Sequence, residues 1–288
     1  MDIVLATIVI AFLAAVNCGL IGSFLMLRGQ SMMGDAISHA VLPGIVLAFI
    51  LTKSRAPMVM LIGAIGAAAL MSLMVAFLKV TIKISHEAAI GISFTSFFAL
   101  GIVLLAIYAQ KVDLDMDCVL YGSLSLAGFK TWGDMGPLDM YILLGLLLGN
   151  VTFIFIAYPS LVLTSFDHHF AQSVGVRTQR WYYTLILLTA VNTVFIFSIV
   201  GAPLVLGFLV IPPAIAYLFV PNVTSLLLYT LAIDVILAVF GHLLAASLDC
   251  ALPGAMITVG GILFVMVFIF MQYSPKKAVA KPAKEVPV

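Results

Sequence analysis

Long apolar stretches, separated by few polar residues, are the feature that most constrains the fold of this chain. Nine stretches approach the length of about 20 residues that a helix needs to cross a bilayer. They are 3–27, 36–52, 57–78, 88–108, 138–163, 182–199, 202–220, 223–246 and 253–272. Charged residues make up 9% of the 288-residue chain, against about 25% in a soluble domain. The sequence therefore predicts an all-α, polytopic membrane protein with about eight or nine transmembrane helices.

Helix-breaking residues interrupt two of these stretches, 36–52 and 202–220. The interrupting residues are Pro43, Gly44, Pro203, Gly207, Pro212 and Pro213, with Gly201 just before the second stretch. Such residues are tolerated at membrane depth where the backbone is buried in protein or lines a cavity. We expect both stretches to be broken or re-entrant, which leaves the number of full crossings at eight or nine.

The distribution of basic residues in the short loops predicts the orientation. With the N-terminus outside and the C-terminus inside, nine Lys and Arg residues fall on the inner side and four on the outer side. The inner set is Arg28, Lys79, Lys83, Arg177, Arg180, Lys276, Lys277, Lys281 and Lys284, and the outer set is Lys53, Arg55, Lys111 and Lys130. Residues 1–273 are then the transmembrane domain, and 274–288 are a disordered cytoplasmic tail.

Asp35 and His39 are the first candidate metal ligands. They are four residues apart, which places them on one face of a helix with β-carbons about 6 Å apart. Ionisable groups in a membrane segment are costly and therefore indicate function, and a carboxylate with an imidazole suits a divalent metal. The structural alternative is that Asp35 caps a helix and His39 is an interior histidine. Two ligands are too few for a metal site, but a twofold-related copy would supply two more.

Asp234 and His242 are a second, weaker candidate pair. They are eight residues apart in one span, and therefore fall on roughly the same side of a helix. They can line a pathway, or they can join helices by hydrogen bonds.

The inner loop 164–181 resembles a short amphipathic helix on the cytoplasmic face. Ser165 is its expected cap, Asp167 lies in its first turn, and Gly175 ends it. Such a helix can dock a soluble partner or lie on the membrane surface. We expect charge reversal of Arg177 or Arg180 to weaken docking of a partner, and reversal of Arg28 to leave it unchanged.

Motifs for enzymatic chemistry are missing from the sequence. Ile90 stands where the second histidine of H-E-x-x-H would follow His86 and Glu87, and neither G-x-S-x-G nor the Walker A sequence is present. ATP hydrolysis would therefore belong to another subunit. The net charge of +1 implies no nucleic-acid partner. Of the three cysteines, Cys118 and Cys250 can both lie on the outer side, and their pairing is left open.

Seven segments together resemble the permease subunits of ABC importers for manganese, zinc and iron. They are 34–44, 89–92, 119–122, 167–176, 200–205, 211–214 and 252–255. The first segment, which contains Asp35 and His39, is the most specific, and the resemblance runs in order from about residue 5 to 272.

This resemblance implies a permease related in fold to the vitamin B12 and siderophore importers of the bacterial cell membrane. It implies a dimer of permeases, two cytoplasmic ATPases and an extracytoplasmic metal-binding protein. The cargo would be Mn²⁺, Zn²⁺ or Fe²⁺, with no tightly bound cofactor. The coupling helix on the ATPase would include Asp167, Ala171, Gly175 and Arg177. Manganese members often carry a histidine shortly after the outer Asp-Leu-Asp, whereas Met116, Asp117 and Cys118 follow Asp115 here, so the metal stays open.

Two further classes of function are compatible with the residues alone. A proton-coupled secondary metal transporter would use Asp35, Asp234 and the histidines for proton transfer. An intramembrane metal-dependent enzyme would turn over a substrate without moving an ion.

Overall fold

A computed structural model describes residues 3–54, 56–108 and 138–273, which form ten α-helices. These are α1 (Ile3–Leu27), α2 (Met33–Thr52), α3 (Pro57–Phe77), α4 (His86–Tyr108), α5 (Leu138–Phe166), α6 (His168–Ser173), α7 (Thr178–Val200), α8 (Ala202–Phe219), α9 (Val223–Leu248) and α10 (Leu252–Tyr273). A π-helical turn, Leu78–Ile82, continues α3. All except α6 are long and apolar enough to cross a membrane. Within the described residues the expected all-α, multi-span fold is therefore confirmed, with nine candidate spans.

Three sequence predictions fall outside the described residues. They concern the outer segment in which Met116, Asp117 and Cys118 follow Asp115, the pairing of Cys118 with Cys250, and the tail 274–288.

The first helix, α1, is the centre of the bundle. It packs against α5, α7, α8 and α9, and large side chains such as Ile10, Ile21 and Phe24 are fully buried in these contacts. A helix that is apolar all round is typical of a fully enclosed position. The helices α2, α3 and α4 form a second group beside this centre, with α7 packed against α2 and α3.

The two segments that were expected to be broken are continuous helices. Pro43 lies inside α2, and Pro212 and Pro213 lie inside α8. The break in this region is at Gly201 instead, whose φ of 89° separates α7 from α8. Each proline removes one backbone hydrogen bond, but neighbouring helices in a membrane bundle can compensate.

Close packing fixes α2 against its neighbours. At the crossing of α2 and α3, a β-carbon on Gly44 would overlap the carbonyl oxygen of Gly63. In the same way, a β-carbon on Gly63 would overlap the carbonyl oxygen of Gly44. On the other side, a β-carbon on Gly101 of α4 would lie 2.9 Å from Pro43 Cδ. Small residues permit this backbone approach, so the face of α2 that carries Asp35 and His39 has a defined orientation.

Candidate functional site

Asp35 and His39 lie side by side on the first two turns of α2. His39 Nε2 lies 3.6 Å from Asp35 Oδ1, and the side chains are 40% and 49% exposed, respectively, at the surface of the single chain. The N-cap position of α2 is Met32, with no side-chain cap hydrogen bond. Asp35 therefore does not cap the helix, and His39 is not an interior histidine.

Two aromatic rings of α4 flank the imidazole of His39. The ring centroids of Phe94 and Phe98 lie 5.3 and 5.5 Å from that of His39, and the two phenyl rings stack on each other. The opposite face of α2 is buried, through residues such as Ile37 and Ala40. Packing therefore holds the imidazole on one side, while its other side and the Asp35 carboxylate remain accessible.

The Asp35–His39 pair is incomplete as a metal site. No group of three or more His, Cys, Asp or Glu side chains that could hold a metal occurs among residues 3–54, 56–108 and 138–273. One carboxylate and one imidazole fall short of the four to six ligands, roughly, that divalent transition metals take.

The second predicted pair is not brought together. Asp234 on α9 is completely buried, and neither of its carboxylate oxygens has a hydrogen-bond partner among the described residues. Its Oδ2 lies against α1, where a β-carbon on Gly19 would be 2.6 Å away. The Nδ1 of His242 also has no partner, and no ion pair joins the two side chains. Asp234 is thus enclosed at the interface of α1 and α9, away from the accessible face of α2.

The predicted amphipathic helix in 164–181 is shorter than expected and has a different cap. It is α6, six residues long, and the carboxylate of Asp167 accepts a hydrogen bond of 2.8 Å from the backbone N–H of Phe170. Ser165 belongs to α5, where its hydroxyl donates to the Leu161 carbonyl, so the prediction of Ser165 as the cap is wrong. A carboxylate in the correct N-cap geometry satisfies a free N–H of the first turn.

The rest of α6 agrees with an exposed docking element. Ala171 is buried, which anchors the helix, while Phe170 and Val174 are 54% and 61% exposed. Gly175 follows with a φ of 85°, a left-handed conformation that favours glycine. Arg177 is exposed and precedes the first residue of α7. The exposed apolar pair gives α6 a surface that a soluble partner can bind.

Arg28 is closer to this element than the sequence indicated. Its Nε donates to the Ser165 hydroxyl at 3.0 Å, and its Nη2 donates to the Thr164 hydroxyl at 2.7 Å. Both residues lie at the end of α5, directly before α6. Arg28 is therefore unsuitable as a remote control for docking at α6, contrary to the expectation from the sequence.

A cluster of three asparagines at the centre of the bundle also escaped sequence analysis. The Asn150 amide donates to Asn17 Oδ1 at 2.7 Å and to Asn192 Oδ1 at 2.9 Å. Asn17 in turn donates to the carbonyl oxygen of Leu143. These buried bonds connect α1, α5 and α7. Uncharged side chains at such separations form no local pattern, so only the tertiary fold reveals them.

Comparisons with known proteins agree with the resemblance seen in the sequence. A family model described as the ABC 3 transport family matches residues 1–271. The manganese transport system membrane protein MntD of Bacillus subtilis is 36% identical over 262 residues, which are 90% of this chain and 88% of that protein. The zinc transport system membrane protein TroD of Treponema pallidum is 33% identical over 279 residues, or 95% of this chain and 75% of that protein.

A solved structure has the same fold. It is PsaBC from Streptococcus pneumoniae in complex with Fab, which matches with a TM-score of 0.74 and 30% identity over 93% of this chain and 91% of the matched chain.

Proposed function

This chain belongs to the ABC 3 transport family, and from that premise we propose that it is the membrane permease of an ATP-driven importer of divalent transition-metal ions. The observation that carries the proposal is that the side chains of Asp35 and His39 lie 3.6 Å apart and partly exposed within a candidate membrane span. A polar pair in apolar surroundings costs free energy, so its presence in a membrane span indicates a function. The names of MntD and TroD, which refer to manganese and zinc transport, support a metal cargo. Mn²⁺, Zn²⁺ and Fe²⁺ all accept this ligand type.

The complete site would lie between two permeases. A second copy, or a paralogue, related by a twofold axis would place a second Asp and His opposite Asp35 and His39. The exposure of the pair in the single chain supports this arrangement, because a partner can reach it. Four ligands would bind a divalent ion in preference to a monovalent one by charge. They are also few enough to let the ion leave, which transport requires.

Energy would come from cytoplasmic ATPases that dock on α6. The helix is anchored by Ala171 and offers Phe170 and Val174 to a partner, with Asp167, Gly175 and Arg177 at its boundaries. A transporter with ATPase subunits needs such a contact, since the chain has no Walker A sequence. An extracytoplasmic metal-binding protein would deliver the ion to the outer face.

The protein would lie in the bacterial cell membrane, with its N-terminus outside and its C-terminus in the cytoplasm. The basic residues support this orientation, and it places α6 where ATP is available. Family membership does not favour the proton-coupled alternative, and buried Asp234 lies apart from the accessible Asp35–His39 pair.

Uptake by the reconstituted complex with its ATPase tests the proposal. We expect Asp35→Asn and His39→Ala each to reduce ATP-dependent Mn²⁺ or Zn²⁺ uptake by more than about tenfold, because each removes one metal ligand per chain. His39→Cys should retain Zn²⁺ transport better than Mn²⁺ transport, since thiolate is a soft ligand.

Ser96→Ala on α4 is a matched control. Among the described residues, the Ser96 hydroxyl bonds only to the Ile92 carbonyl of its own helix, so uptake should be unchanged. If Asp35→Asn and His39→Ala assemble normally and import metal at the unaltered rate, the site lies elsewhere. Reduced assembly with normal transport per assembled complex would instead indicate a structural role for the pair.

A further inference from the structure

A pocket with unbalanced positive charge lies where the ends of α1, α3, α5 and α7 meet. Its volume is about 480 Å³, within the range of roughly 300–1,000 Å³ that is typical of small-molecule sites. Arg28 and Lys79 contribute the charge, and no carboxylate is among the described residues that line it. The pocket is separate from the Asp35–His39 pair.

Neither cation has an acidic partner in the part of the chain that the structure describes. Arg28 is partly buried and donates to Thr164 and Ser165, both uncharged hydroxyls. The Lys79 ammonium lies 4.9 Å from the centroid of the Tyr182 ring, which offers only a cation–π contact. Burial lowers the pKa of Arg28 to about 10, which still leaves the guanidinium charged at neutral pH. Partly buried charges without a counter-charge are destabilising, so the two cations favour the binding of an anion.

Hydrogen-bonding groups in the pocket are also unused. Gln30 is 2% exposed and Tyr182 is 9% exposed. Within the part of the chain that the structure describes, neither Gln30 Oε1 nor the Tyr182 hydroxyl has a hydrogen-bond partner. Buried polar atoms normally have partners. Arg28 uses two of its N–H groups for the α5 hydroxyls, which leaves further donors of its guanidinium for an anion. The pocket therefore combines cations with two neutral groups that can bind hydroxyls of the same ligand.

We propose that this pocket binds the phosphate and glycerol headgroup of an anionic phospholipid. The position of the pocket relative to the membrane favours a lipid. Arg28 directly follows one candidate membrane span, and Lys79 lies near the end of another. Headgroups are found at this level, and basic pockets between helices at the cytoplasmic side of a membrane protein suit anionic lipids. Arginine binds phosphate oxygens with a fork of donors, and the neutral groups match glycerol hydroxyls. The assignment to the cytoplasmic leaflet rests on the proposed orientation.

Occupancy of this pocket would be linked to α6. Arg28 holds the hydroxyls of Thr164 and Ser165 at the end of α5, and Asp167, two residues beyond, caps α6. A headgroup that binds Arg28 would therefore fix the position from which α6 projects. The lipid would act as a structural component of the docking region and not as cargo.

Native mass spectrometry of the complex with its ATPase can test the proposal. The complex would be taken from nanodiscs of phosphatidylcholine with phosphatidylglycerol. We expect retained phosphatidylglycerol on the wild type, and an apparent dissociation constant about fivefold higher for Lys79→Gln, the effect of one cation near an anionic headgroup. Lys79→Arg should restore binding. Lys83→Gln is the matched control, since Lys83 is exposed at the same end of the bundle and does not line the pocket.

Arg28→Gln provides a second variant, in case the first disturbs packing at Tyr182. Equal phosphatidylglycerol retention by the wild type, Lys79→Gln and Arg28→Gln would overturn the proposal. Displacement of the lipid by millimolar inorganic phosphate would assign the pocket to a soluble phosphate compound instead, and would also overturn it. A carboxylate of the ATPase that cross-links to Lys79, with no lipid retained, would show that a protein partner supplies the anion.

Discussion

At the scale of single residues, the polar atoms at the centre of the bundle determine how three helices fit together. The amide of Asn150 reaches from α5 to the side-chain oxygens of Asn17 on α1 and Asn192 on α7. In a bilayer, the hydrophobic effect contributes little to the association of helices, because lipid tails are also apolar. Association therefore depends on packing and on interhelical hydrogen bonds. We infer that the cluster fixes the positions of α5 and α7 against α1.

Asn150→Ala should therefore destabilise the protein by about 1–3 kcal/mol. The substitution removes two interhelical hydrogen bonds and leaves the oxygens of Asn17 and Asn192 without their donor. Thermal unfolding in detergent measures the effect, with Thr152→Ala as the control because Thr152 is exposed on the same helix. Equal unfolding temperatures for the two variants would show that the cluster does not stabilise the bundle.

The residues that sequence analysis identified, and those that it missed, differ in a physical way. Asp35 and His39 could be found because their relation is local, at a spacing of four on one helix. The sequence predicts Ser165 as the cap of α6, two residues before the observed cap, Asp167. Serine and aspartate are both good N-cap residues, and only the position at which α5 ends decides between them. Asn150 and the contacts of Arg28 depend on side chains more than 40 residues away, which no local pattern encodes.

At the scale of helices, α2 is positioned by two close approaches. Its crossing with α3 brings Gly44 and Gly63 into backbone contact. On the other side, Gly101 of α4 has no side chain and leaves space for Pro43 and Leu42. From the sequence, Pro43 and Gly44 predict a broken α2. Proline weakens an isolated helix, whereas in this bundle α3 and α4 enclose the segment around Pro43 and keep it helical.

Gly63→Ala should destabilise the protein by about 1–3 kcal/mol, because the added methyl group overlaps the Gly44 carbonyl and forces the helices apart. Gly66→Ala is the matched control on the same helix. A β-carbon on Gly66 meets nothing within 4 Å, so that variant should be neutral or slightly more stable. Chemical or thermal unfolding in detergent distinguishes the two. A Gly63→Ala variant as stable as Gly66→Ala would contradict the close crossing.

Helix α6 should control assembly with the ATPase. Ala171→Pro with Gly175→Val should abolish co-purification of the ATPase, since proline disrupts the helix and valine is strained at a φ of 85°. Asp167→Ala should weaken assembly by loss of the cap, which is worth about 1 kcal/mol, whereas Asp167→Ser should retain it.

Ser173→Ala is the control for these variants, because in the described ranges the Ser173 hydroxyl bonds only to the Phe170 carbonyl within α6. Assembly should be unchanged in this variant. Undiminished co-purification after the double substitution in α6 would show that the ATPase binds another surface.

At the scale of the whole molecule, the arrangement of the helix ends is consistent with successive helices that cross the membrane in alternating directions. Arg28, Lys79, Ser165 and Thr178 line one pocket, so the ends of α1, α3 and α5 and the beginning of α7 share one face of the bundle. Nine crossings by the candidate spans among the described residues would place the start of α1 and the end of α10 on opposite sides, as the proposed orientation requires. In the proposed orientation, this shared face with its basic residues is the cytoplasmic one.

Cysteine labelling from outside intact cells tests this orientation. Cys250 is exposed at the junction of α9 and α10, on the face opposite to Arg28, so a Cys18→Ala, Cys118→Ala variant should react with a membrane-impermeant maleimide. A variant without native cysteines that carries Ser173→Cys should react only after the cells are permeabilised, because α6 would face the cytoplasm. Without the added cysteine, the cysteine-free protein should remain unlabelled under both conditions. The reverse pattern would refute the orientation, and it would place both α6 and the basic pocket on the side where no ATPase is present.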